Sequence, residues 1–246
     1  MEQKKKHGTA PIMGFERLRE NVDGPGIRTL VLLGGCPLHC EYCLNKMLLR
    51  SGIQKAFTPD ELYDILMVDS TYFKVTGGGV TFGGGEPAFH SRFIRAFHEL
   101  GKEIDDELDI RLETSLNVPL EHIQILAPFV SKFYVDIKDM TPEIYCDYTH
   151  EYNQFVYTNL EWLSKNGYAQ QVLCRVPLIP DFNTEGNQAE SVKALHEMGF
   201  ETETFTYIKT HEPYPEIVTM GIPDLPDDIM GDLRPADNDM LEDDER

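Results

Sequence analysis

"RTLVLLGGCPLHCEYCLN", residues 28–45, reads as a short apolar, β-branched strand that ends in glycines and feeds a loop carrying Cys36, Cys40 and Cys43. Three thiols within eight residues, spaced Cys-x3-Cys-x2-Cys with no fourth nearby, suit an iron–sulfur cluster that keeps one iron open. A closed [4Fe–4S] site takes four thiolates. An open metal position marks a reacting site, because a substrate can bind there. The competing chemistry is structural zinc, which wants four ligands, commonly two separated pairs. No second Cys-x-x-Cys exists, and His39 lies inside the loop between two of the thiols. His39 and Glu41 therefore read as loop residues.

Outward from this stretch the chain alternates strand and helix patterns. Thr58 then Pro59 opens a helix running to Ser70. A strand at 79–82 is closed by Gly83, Gly84 and Gly85, and residues 88–100 have helical periodicity. Strands at 108–115 and 132–138 flank a helix at 119–129; Thr141 and Pro142 open another helix, and 151–166 forms one more. A strand at 169–180, a helix at 183–199 and a sixth strand at 204–209 follow. Six strands separated by helices imply βαβ units and a parallel α/β sheet with right-handed crossovers.

Ligands of such sheets gather at the carboxyl ends of the strands. The cysteine loop follows the first strand and the glycines the second. Glu113 and Thr114 end the third, Asp136 and Lys138 the fourth, and His211 follows the sixth. Taken singly, each charge reads as a solvated rim or a structural ion pair. Above one sheet edge, together, they suit a zwitterionic ligand. The run "GGGVTFGGGEP" fits neither G-x-G-x-x-G nor a G-K-[ST] ending, so a phosphate cradle is the weaker reading. Glycines instead let a carbonyl approach a ligand with no Cβ in the way. Glu86 reads as a residue that orients this turn or a helix start.

Composition narrows the function classes. The formal net charge of −20 repels phosphate backbones and argues against nucleic-acid partners. No run approaches a membrane span, and the basic start is followed by "TAPIMGFERL" rather than an apolar signal core. The expected location is the cytoplasm, with no membrane partner. Five cysteines, an odd number with three clustered, do not make a disulfide framework there. Cys146 and Cys174 read as small buried hydrophobes. Residues 224–246 hold ten acidic and two basic side chains, and we expect a disordered, solubilising tail behind a domain spanning 1–223.

The cysteine array, the preceding "DGPGIR" (Asp23 to Arg28) and the "GGE" of Gly84, Gly85 and Glu86 resemble the radical S-adenosylmethionine superfamily. Within it, the chain resembles the activating enzymes of glycyl-radical enzymes, typified by the pyruvate formate-lyase activating enzyme, from about Asn21 to His211. The resemblance implies a partial (β/α)6 barrel: a single domain plus the acidic tail, with an open side that admits a loop of a large protein. It implies one [4Fe–4S] cluster on Cys36, Cys40 and Cys43, with S-adenosylmethionine on the open iron. By the same resemblance the backbone of Tyr42, with Leu44, touches the adenine. Gly84 and Gly85 accept from the α-ammonium, Lys138 meets the carboxylate, Asp136 the ribose hydroxyls and His211 the adenosine. Arg175 and residues 176–180 resemble the strand edge that packs on adenine. The family has aspartate where Glu113 stands, a position that helps hold a monovalent cation in some relatives; the extra methylene counts against a cation here. Asp23 belongs to a mobile lip near the substrate glycine, and many relatives carry a larger residue where Gly83 stands.

The implied reaction is anaerobic. A reduced cluster passes one electron into the sulfonium, the carbon–sulfur bond breaks, and a 5′-deoxyadenosyl radical removes a hydrogen atom from a glycine Cα of a partner glycyl-radical enzyme. Reduced flavodoxin or ferredoxin is the implied electron donor. Two other readings stand beside it. One is a radical enzyme acting on a small molecule, like 7-carboxy-7-deazaguanine synthase, whose relatives often lack "DGPGIR". The other is a metal-bearing scaffold or electron carrier without turnover.

Overall fold

The structure is a computed structural model, and it describes residues 8–103 and 108–207. One eight-stranded sheet organises them. Its strands are β1 (Ala10–Glu20), β2 (Ile27–Leu33), β3 (Lys55–Phe57), β4 (Gly79–Gly84), β5 (Asp109–Thr114), β6 (Lys132–Asp136), β7 (Val172–Leu178) and β8 (Glu201–Thr206). They lie in the order β3-β1-β2-β4-β5-β6-β7-β8. From β2 through β8 every neighbour is parallel, which gives the six expected parallel strands as an unclosed barrel.

Two strands were not expected. β1 pairs antiparallel with β2, and β3 with β1. The alternation of β1 is broken by two register shifts, with Leu18 at φ 57°, and such irregularities scramble a period of two. β3 has only three residues, too few to carry a pattern.

The helices are α1 (Lys46–Ser51), α2 (Pro59–Leu66), α3 (Ser70–Thr76), α4 (Ser91–Glu103), α5 (Leu120–Leu126), α6 (Pro142–Thr149), α7 (Gln154–Lys165) and α8 (Glu185–Glu197). Thr58 caps α2 as expected: its hydroxyl accepts from Glu61 N, while the Glu61 carboxylate accepts from Thr58 N at 2.8 Å. The helix expected to run on to Ser70 instead tightens into a 3-10 turn at Met67–Asp69. Asp69 turns inward there, because both of its oxygens accept from the Arg17 guanidinium of β1 at 2.6 and 2.7 Å. The last strand begins earlier than its sequence suggests, since "ETET" is a polar run on an exposed edge. α1 went unread altogether; it buries no residue and has no side-chain cap.

Alternation along the parallel strands separates two faces. Ile110 and Leu112 of β5 point into the core, with Val31, Phe82, Phe133 and Val135 from its neighbours, and pack under Phe97, Ile123 and Leu160 of the covering helices. Asp109, Arg111 and Glu113 alternate onto the other, half-buried face. Val176 joins the core and so points away from Arg175. Cys174 is buried as expected, while Cys146 is only half-buried. No helix among the described residues is long and apolar enough to cross a membrane.

Candidate active site

Register brings the cysteine loop against the glycine turn. Leu33 at the end of β2 pairs with Gly84 at the end of β4. Beyond the pair the two chains stay laced: Gly85 N donates to Leu33 O and Glu86 N to Gly35 O, both at 2.8 Å. A Cβ on Gly85 would lie 2.1 Å from Gly35 O, and Gly84 holds φ at +97°, so only glycine fits this seam. Gly83 has more room; a Cβ there would sit 3.1 Å from a Glu113 carboxylate oxygen.

The cysteine loop is held from its other side by the end of α6. His39 N donates to Thr149 O at 2.9 Å and Glu41 N to Tyr148 O at 3.2 Å. Glu41 is more than a loop residue, because its carboxylate lies 2.7 Å from His150 Nε2. That hydrogen bond, aided by Lys46, holds the Glu41 carboxyl below its usual range. Asn45 crosses to the glycine turn and donates to Gly84 O at 2.7 Å.

A cavity of about 460 Å³ opens between these loops and the strand ends. Cys36, Cys40, Cys43, Tyr42, Leu44, Gly84, Gly85, Glu113, Asp136 and Lys138 all line it. Of the cofactor-site residues read from the sequence, His211 lies outside the described residues and the strand edge 176–180 does not line the cavity, with Val176 turned into the core; the others meet there. Asp23 is apart. The turn that carries it precedes β2, at the opposite end of the strand from the cysteines. Asp23 is 1% exposed and clamped by Arg19 at 2.7 and 2.8 Å. The structure thus shows a pinned, buried side chain where the sequence suggested a lip.

The charged groups at the cavity stand in neighbouring pairs. Lys138 Nζ donates to Asp136 Oδ2 at 3.1 Å and to the Tyr207 hydroxyl at 2.7 Å. Burial works against its ammonium, but Asp136 and Tyr207 carry its pKa well above the ordinary value. Burial raises the Glu113 pKa, and the Asp23 carboxylate adds to the rise against the pull of Arg175, whose Nη1 lies 3.3 Å away. Burial also pushes the Cys36 thiol up to about 12 and raises Cys40. Thiolates in this cavity therefore need bound cations beside them. All three thiols are free, on one loop and at one cavity, a donor set that fits iron–sulfur ligation. Among the described residues no three His, Cys, Asp or Glu side chains close around one point as a single ion requires.

Sequence reasoning undervalued two groups. Glu86 is 1% exposed and accepts from Ala88 N, Thr114 Oγ1, Ser115 N and Ser115 Oγ at 2.6–3.0 Å. It does start the short 3-10 turn at Pro87–His90, and it also binds the end of β5 to the glycine turn. The hydroxyl pair Thr114-Ser115 was the available signal. Tyr207 directly follows β8 and lines the cavity, stacked on Tyr148 at 6.1 Å.

The sequence profile of the Radical SAM superfamily matches residues 30–220. The chain belongs to the radical SAM superfamily. Its membership makes it a radical SAM enzyme and implies a [4Fe–4S] cluster and S-adenosylmethionine as its cofactors. Among curated relatives, the pyruvate formate-lyase-activating enzyme of Listeria monocytogenes is 28% identical over 205 aligned positions, covering 82% of this chain and 79% of that protein. The (2S)-3-sulfopropanediol dehydratase activating enzyme of Klebsiella oxytoca is 26% identical over 240 positions, covering 72% and 74%. Streptococcus suis SuiB bound to S-adenosylmethionine superposes with a TM-score of 0.55 at 15% identity, over 70% of this chain and 38% of SuiB. The chain thus spans about two fifths of SuiB's length, and this likeness speaks for the fold alone.

Proposed function

We propose that this radical SAM enzyme activates a glycyl-radical enzyme by abstracting a hydrogen atom from a glycine Cα of that partner. In this reading residues 1–223 form the catalytic barrel and 224–246 an acidic tail. Cys36, Cys40 and Cys43 would hold the cluster, with S-adenosylmethionine bound beside it. When bound, cluster and cofactor would together supply one-electron reductive cleavage and the hydrogen-abstracting power that the reaction needs. The protein's own groups position and enclose. Lys138 meets the cofactor's carboxylate, Gly84 O accepts from its ammonium with the lone pair Asn45 leaves free, and Asp136 faces the ribose. Tyr42, Leu44 and His211 are assigned to the adenosine, and Glu113 to the cavity wall. Asp23 is assigned to the substrate side. Reduced flavodoxin or ferredoxin is the proposed donor.

The observation that carries the proposal is the meeting of three thiols, the charged ends of β5 and β6 and Arg175 of β7 at one cavity. The two curated relatives described above, both named as activating enzymes, support the choice of a protein glycine as substrate. The test is anaerobic reconstitution followed by mixing with candidate glycyl-radical enzymes, a pyruvate formate-lyase among them. A doublet in electron paramagnetic resonance, absent when the partner's glycine is changed to alanine, is the expected result. Cofactor cleavage that never exceeds that of Cys40→Ala would end the proposal.

A further inference from the structure

The hydrogen-bond inventory of the Lys138–Tyr207 pair leaves donors unspent. Lys138 is 7% exposed, and its ammonium has three N–H groups and no acceptor. Two are engaged, one on Asp136 Oδ2 and one on the Tyr207 hydroxyl. Because Tyr207 accepts from Lys138, its own hydrogen points elsewhere, and no described side chain takes it. Burial pushes the Tyr207 phenol up to about 12, so it keeps that hydrogen at neutral pH. The ring is held in place on several sides. Tyr207 N donates to Leu178 O at 2.9 Å, the ring stacks on Tyr148, and Phe205 meets it edge-on at 5.3 Å. The ammonium also sits 5.3 Å from the ring centroid. Two donors 2.7 Å apart, both on cavity-lining residues and one of them cationic, match a carboxylate, which offers about four lone-pair sites.

We infer that Tyr207 is a second carboxylate-binding residue, donating its phenol hydrogen to the amino-acid carboxylate that Lys138 receives. This rests on the proposed cofactor reading and adds to it a residue just past β8. Tyr207 selects for the amino-acid end of the ligand, since an analogue without the carboxylate has nothing to accept that hydrogen.

The test compares reconstituted wild type with Tyr207→Phe, which keeps the ring and its stacking. Binding of S-adenosylmethionine and of its decarboxylated, propylamine analogue is measured by calorimetry under anaerobic conditions. Loss of one charge-assisted hydrogen bond weakens S-adenosylmethionine binding by about tenfold or more. Affinity for the carboxylate-free analogue stays the same. An equal loss for both ligands would mean a packing role, and no loss for either would mean no contact; both overturn the inference. Wild type that fails to bind S-adenosylmethionine at all defeats the cofactor reading itself, so the two failures are distinguishable.

Discussion

The two ends of the parallel strands treat charge in opposite ways. At the amino ends, ionic groups are used up. The fully buried Arg28 pairs with Asp109 and donates to Val80 O, Asp109 O and Thr81 Oγ1, tying β2, β4 and β5 together. Arg111 shares Asp109 at 2.8 Å, and Arg19 takes both oxygens of Asp23. At the carboxyl ends, Lys138, Asp136, Glu113 and Arg175 are only loosely paired and stand around an open cavity. Charges consumed inside the protein hold the sheet, whereas charges left partly free are available to a ligand.

The largest expected effect comes from breaking the carboxyl end outright. Cys40→Ala abolishes cofactor cleavage and the brown colour of the reconstituted protein, while far-ultraviolet circular dichroism stays native. A cleaving variant would mean that the thiols are not the reacting end.

Arg28→Met probes the other end. Breaking a buried ion pair typically costs about 3–5 kcal/mol, and the low end applies here because Asp109 keeps Arg111 and Ser131 as partners. The urea midpoint should fall accordingly while cofactor affinity per folded molecule holds. Lost affinity at unchanged stability would erase the contrast between the ends.

Gly85→Ala tests the seam between the cysteine loop and the glycine turn. Overpacking against Gly35 O should cost about 1–3 kcal/mol and lower the iron retained per chain. Metal analysis beside a thermal melt checks both.

The smallest effect is electrostatic. Glu113 has a raised folded-state pKa, so the folded protein holds a proton that the unfolded chain releases first. Its stabilising contribution is whole below the unfolded carboxyl pKa and is lost as pH rises through the folded value. Glu113→Gln should therefore flatten the fall of stability as pH rises from the unfolded carboxyl pKa through the folded one. Parallel denaturation curves across mildly acid to neutral pH would show it, and superimposable curves would count against it.

Much of the carboxyl end was legible because its signals are local. The cysteine spacing, the Thr58–Pro59 cap and the apolar strands ending in Gly84, Thr114 and Asp136 each declare themselves within a few residues. What escaped depends on distant partners. Glu86 looks like any turn glutamate until Thr114 and Ser115, nearly thirty positions on, close around it. Asp69 breaks α2 only because Arg17 waits 52 residues upstream. Asp23 reads as part of a flexible glycine turn, and only the fold shows Arg19 and the packing of Gly24 against Arg111 that immobilise it. β1 escaped because its bulges hide the alternation that would have announced it.

α1, six residues long with nothing in the core, is far too brief to be stable by itself. Its order is borrowed from the thiol-bearing loop, through Lys46 N on Cys43 O and Leu49 N on Asn45 O. The amides of this turn should therefore act as a gauge. Their exchange with deuterium slows when the loop is locked by its inorganic core and quickens when it is stripped, while the buried strands behind it keep the same rate.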